Sequence, residues 1–138
     1  MKTIQKKMKT VEDRLKRLEN ISNRLDSFES FQRDLDIKDI AERNIQVAIE
    51  SCLDIGKIII SQNKLSEPKD NKGIFTILSE AGIISQEILS FMLPMAGTRN
   101  ILVHGYDKID ESLIYGILQK HLTDFRTFLQ QVRTNYLT

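Results

Sequence analysis

The sequence has one cysteine, two prolines, two histidines and no tryptophan in 138 residues. The lone Cys52 leaves no intrachain disulfide and no cysteine-rich metal site. Its place in an apolar helical pattern marks a core thiol rather than a reactive one. One Cys and two His are too few for a zinc site within one chain, and no residue pattern asks for a cofactor. Six glycines and two prolines exclude a linker or a fibre, and 41% hydrophobic residues exclude disorder. No apolar run nears the ~18 residues of a membrane span, and no N-terminal stretch resembles a signal peptide. The expectation is therefore no membrane partner and a reducing cytoplasm. Charge of one sign is missing too: 20 Lys and Arg against 19 Asp and Glu give a net charge of +1. No global field draws such a chain to nucleic acid, so any contact with it must be local or built from two chains.

What is present is helical periodicity over a length that suits one domain, taken as residues 1–138. Residues 1–9 carry four lysines and read as a frayed basic lead-in. From Met8 to Phe28, apolar residues recur at spacings of three and four (Met8, Val11, Leu15, Leu18, Ile21, Leu25, Phe28). The opposite face alternates in sign through Glu12, Asp13, Arg14, Lys16, Arg17 and Glu19. That alternation favours a solvated surface over a nucleic-acid patch, and it argues against a membrane-surface helix. Asp36 is placed to cap a second helix running through Ile37, Ala41, Ile45, Ala48, Cys52, Ile55 and Ile59. Its apolar arc is widened by Ile40, Val47, Leu53, Ile58 and Ile60, so it is expected to be central. Ser61–Lys72 reads as a loop. A short helix over Gly73–Ala81 stops at Gly82. Ser85 caps the next helix, with a kink or break expected near Phe91–Pro94. Asp110 caps a last long helix. Without strand-like alternation, the fold expected is all-α, an up-and-down bundle of four main helices plus a short one.

The stretch that carries chemistry is Arg99-Asn100-Ile101-Leu102-Val103-His104-Gly105-Tyr106. Five helical steps put Arg99 and His104 ~140° apart around an ideal axis, whereas Asn100 and His104 share a face. Ile101, Leu102 and Val103 would anchor the segment to the core. A histidine exchanges protons near neutral pH, an arginine clamps a phosphate, and a carboxamide orients an imidazole or a hydroxyl. Together these suit RNA cleavage in which a ribose 2′-hydroxyl attacks the neighbouring phosphorus. One chain has a single histidine in the motif, and a symmetric dimer would supply two. The same residues also serve as capping and packing groups, and a histidine at a helix C-terminus is at ease there without chemistry. His121 falls within the last helix's pattern and reads as structural. Glu42, Arg43, Glu50 and Asp54 interrupt the second helix, either as ion pairs beside the core or as the lining of a cleft.

Arg99, four residues, His104, any residue, Tyr106 resembles the signature of the HEPN superfamily, most closely its HepT-like ribonuclease toxins. The resemblance extends to Ala41–Glu50 with Asp54-Ile55, to Ile74–Ile84, to Met95–Asn100 and to Val103–Asp107, and covers roughly residues 10 to 135. It implies a HEPN-like helical homodimer with a composite cleft in which Arg99 and His104 are the catalytic pair and Asn100 their polar neighbour. It implies a metal-independent endoribonuclease toxin, with mRNA or tRNA as substrate, partnered by a minimal nucleotidyltransferase antitoxin. Tyr106 would be the residue the antitoxin adenylylates, blocking the cleft by bulk and like charge. The alternative is a non-catalytic helical dimer module that binds the nucleotidyltransferase or a nucleotide.

Overall fold

The computed structural model describes residues 2–105 and 109–138. The chain winds through α1 (Lys2–Arg24), α2 (Phe28–Arg33), α3 (Leu35–Gln62), α4 (Asn71–Glu80), α5 (Gln86–His104), α6 (Glu111–Gly116) and α7 (Leu122–Val132). Two π-helical stretches, Ile117–His121 and Arg133–Leu137, precede and follow α7. Among the described residues there is no strand. α1 packs on α3, α3 on α5, α5 on α7 and α7 back on α1, which closes an up-and-down four-helix bundle. α4 is the short additional helix, lying against α3 and α5.

Burial explains the order. α1 buries a single stripe, Ile4, Met8, Val11, Leu15, Leu18 and Ile21, and faces water with the rest. α3 buries residues around most of its circumference, from Ala41 to Ile60, as a central helix must. Cys52 is fully buried in it, and that burial pushes the thiol far up, out of the reactive range. Gly56 allows α4 to come close: a Cβ there would meet Ile74 Cγ2 at 2.4 Å. Phe75 and Phe128 meet edge to face at 5.7 Å between α4 and α7.

Several local expectations are corrected. The N-terminus is not a frayed lead-in, because the helix starts at Lys2 and the apolar residues set among its lysines, Ile4 and Met8, are buried. α1 ends at Arg24 instead of running to Phe28. Ser27 caps a separate α2, its hydroxyl accepting from the Ser30 N–H. The cap of α3 is Asp34, whose Oδ1 accepts from the Ile37 N–H at 3.1 Å, not Asp36, which lies in the first turn. α4 begins at Asn71 behind the cap Asp70. It ends as expected ahead of Gly82, whose φ of 78° only glycine adopts readily. The caps Ser85 and Asp110 are where the sequence placed them.

Of the kink or break expected near Phe91–Pro94, the break does not occur: α5 continues as one helix through Pro94. Pro94 and Ser90 are both exposed, so the Ser90 carbonyl that loses its N–H partner faces water. The Thr98 hydroxyl donates to the Pro94 carbonyl at 3.0 Å, so this buried side chain is satisfied within the helix.

Candidate functional site

The last two turns of α5 carry Arg99, Asn100 and His104, and the unbroken helix keeps their ideal angular relations. Arg99 turns toward α3, where its Nε donates to Glu50 Oε2 at 3.0 Å. Both groups are half-buried, so solvent screens this pair less than an exposed one. Asn100 is exposed, and its Oδ1 lies 3.4 Å from Arg99 Nη1 and 3.4 Å from Asn71 Nδ2 at the start of α4. Gln46, one turn before Glu50 on α3, adds its amide to Glu50 Oε2 at 3.5 Å.

Glu50, Leu53, Asp54, Lys57, Asn71 and Arg99 line an open, polar cleft of about 280 Å³. The Lys7 ammonium of α1 pairs with the lining residue Asp54 at 3.0 Å. α5 thus supplies a guanidinium, α3 the carboxylate that fixes it, and α4 a carboxamide. Such a cleft suits an anion delivered to Arg99, with its donors pointed by fixed partners. Among the described residues no group of three His, Cys, Asp or Glu side chains is placed to hold a metal ion.

His104 occupies the exposed final turn of α5, and the helix ends behind it as the Gly105 N–H donates to the Ile101 carbonyl at 2.8 Å. Four residues from Asn100, it shares that residue's face and stands ~140° round the axis from Arg99. Of the expected apolar anchor, Leu102 is buried and Val103 half-buried, while Ile101 is turned outward and 37% exposed. Tyr106 lies outside the described residues.

Of the acidic and basic residues singled out in α3, Glu50 and Asp54 line the cleft and Glu42 and Arg43 do not. Glu42 sits near the start of α3, where burial and then the neighbouring Asp39 raise its carboxyl above the ordinary value. Glu111 contributes to the rise and Lys38 opposes it. Arg43 is exposed. Sequence reasoning passed over Lys7, Lys57 and Asn71. Lys57 extends the Glu50–Asp54 side of α3 by about one turn and could have been found from that spacing. Asn71 reaches the cleft, and Lys7 the lining residue Asp54, only through tertiary packing. His121 has the structural surroundings expected of it, with Nδ1 2.9 Å from Asp124 Oδ2 and its ring 6.1 Å from that of Phe91.

Comparison with known proteins matches residues 11–132 to the model of the family "Ribonuclease HepT-like". The chain belongs to the HepT-like ribonuclease family. It is 31% identical over 103 residues to the mRNA nuclease HepT of Shewanella oneidensis, covering 75% of this chain and 77% of that protein. It is 32% identical over 113 residues to the tRNA nuclease HepT of Aphanizomenon flos-aquae, covering 82% and 74%. Among solved structures, it is similar to a tri-AMPylated HEPN toxin of S. oneidensis in complex with its MNT antitoxin. That match has a TM-score of 0.89 at 28% identity, covering 97% of this chain and 98% of the other. A toxin–antitoxin structure with AMP-PNP is equally similar, with a TM-score of 0.89 at 27% identity over 97% and 99% of the two chains. The HEPN-like helical fold inferred from Arg99-x4-His104-x-Tyr106 and its flanks is thus established for this chain.

Proposed function

We propose that this HepT-like chain is a metal-independent endoribonuclease toxin that cuts RNA at a composite site made by two copies of the Arg99–His104 stretch. The observation that carries the reading is the pairing of Arg99 with Glu50 at 3.0 Å in a polar cleft, with His104 exposed at the end of the same helix. A continuous helix from Arg99 to His104 sets the two side chains ~140° apart, so the second histidine and a shared cleft come from a symmetry-related copy. Ile101, exposed between them, gives that meeting an apolar contact.

In the reaction, one His104 imidazole takes the proton of a ribose 2′-hydroxyl as the oxygen bonds to phosphorus. The bond from phosphorus to the 5′-oxygen breaks, and that oxygen takes a proton from the other His104 in its charged form. The products are a 2′,3′-cyclic phosphate and a 5′-hydroxyl. Arg99 neutralises charge gathering on the phosphoryl oxygens, and Asn100 orients the hydroxyl or the imidazole on the face it shares with His104. Glu50 holds Arg99 and is a positioning residue. The relatives are named as mRNA and tRNA nucleases, and related toxins are held by MNT antitoxins. A minimal nucleotidyltransferase is accordingly the partner proposed here, with Tyr106 as the residue it adenylylates.

The test is incubation of unmodified protein with total cellular RNA in chelator, beside His104→Ala. Cleavage by the parent alone, leaving cyclic phosphate ends, is the expected result. Intact RNA in both samples, with mass spectrometry showing Tyr106 bare, overturns it in favour of a non-catalytic dimer module.

A further inference from the structure

The alternating charges of α1 in sequence are sorted by the fold onto three separate faces. On one flank, Lys7 pairs with Asp54 and Arg14 donates to Asn44 Oδ1 at 3.1 Å, both on α3. On the other flank, Glu19 binds Arg126 at 2.6 Å and Glu12 binds Arg133, so both carboxylates are spent on the far end of the chain. The face opposite the core keeps Lys2, Lys6, Lys9, Lys16, Arg17 and Arg24, all exposed. In helical projection they fall within an arc of ~100° and run the length of a helix of ~35 Å. The only carboxylate on that arc is Asp13, which takes up Lys9 at 2.9 Å.

We infer that the outer face of α1 binds the phosphate backbone of RNA and leads it toward the cleft lined by Arg99. The inference rests on the ribonuclease reading. A net charge of +1 conceals this row because its counter-charges lie elsewhere in the molecule. Between the row and the cleft stands Lys7, on the α3 flank ~100° round the helix from Lys6, and it is bonded to the cleft residue Asp54. A lipid surface fits poorly, since no apolar side chain lies on the arc to enter a bilayer. Cations on a sequence-blind backbone give affinity without choosing bases.

The test uses His104→Ala protein, which leaves RNA uncut, and a short unstructured RNA oligonucleotide titrated at several salt concentrations. Neutralising the row with Lys6→Gln, Lys16→Gln and Arg17→Gln together is expected to weaken binding on the order of 10–100-fold. It should also make the slope of log K against log salt shallower by about 2, at ~0.7 per lost contact. Asp13→Asn, which frees Lys9, is expected to tighten binding. Equal affinity and slope for the parent and the triple variant overturn the inference and leave the ribonuclease reading standing. A parent that does not bind RNA removes both, and so does binding confined to vesicles of mixed zwitterionic and anionic phospholipid.

Discussion

In α1 every buried position is apolar, and each charged residue lies on a flank or on the outer face. In α5 the assignments are mixed: Thr98 is buried, Ile101 is turned outward, and Arg99 is half-buried against a carboxylate. α1 follows the rule that makes a helix a good wall for a core. α5 departs from it over the turns that carry Arg99, Asn100 and His104. Departures of this kind are what the proposed site asks for, and neighbouring groups support them, here Glu50 and Asn71.

Substitutions can break or sharpen that contrast. The largest effect is expected at His104, where alanine should lower RNA cleavage 10²–10⁴-fold with the melting temperature unchanged, as measured by single-turnover kinetics and calorimetry. Equal loss of stability would mean that α5 is a wall like α1. Leu15→Ala, in the fully buried stripe of α1, should do the reverse. It should cost about 2–5 kcal/mol in denaturant unfolding while any protein that remains folded still cleaves. Glu50→Gln keeps a hydrogen-bond acceptor beside Arg99 but removes the charge. On the order of a tenfold fall in cleavage is expected, about 1.4 kcal/mol, with RNA ends still cyclic. Ile101→Ala should cost the isolated chain less than about 1 kcal/mol, and weaken self-association in sedimentation if that face meets a second copy.

The smallest effect concerns Glu42. Its carboxyl is raised in the folded chain, so the folded state holds that proton more tightly than the unfolded one. Stability it contributes at low pH is therefore lost as pH rises past about 4.5, its ordinary value, through the raised folded one. Glu42→Gln should thus raise the melting temperature at pH 7, and the gain should vanish below the ordinary carboxylate range.

The bundle and its central helix were legible because α1 and α3 keep strict apolar spacings. The joints were not. Leu25 and Phe28 continue the spacing of α1, so the end of that helix at Arg24 leaves no trace in periodicity. Leu35 opens α3 but is 68% exposed and lies off the stripe that begins at Ile37, so the spacing placed the cap two residues too late. Four lysines drew attention away from Ile4, so the stripe of α1 was begun one turn late, at Met8. Proline read as a break because sequence does not reveal that Ser90 faces water. At the candidate site, the motif named Arg99, Asn100 and His104, and the interruptions of α3 named Glu50 and Asp54. Neither could reveal that Asn71 and Lys7 arrive from other helices, since such meetings depend on crossing geometry rather than spacing.

The seam that joins α1 to α7 and the π-helical stretch after it has a kinetic consequence. Its ion pairs, Glu19 with Arg126 and Glu12 with Arg133, join partners 107 and 121 residues apart. Contacts of such long range bear the greatest loop-closure entropy unless nearer contacts form first. The pairing of α1 with α3 shortens that loop, so the seam is the last part of the bundle to zip. During synthesis α1 therefore waits, docked on α3 along one side, until α7 has left the ribosome and can cover the other.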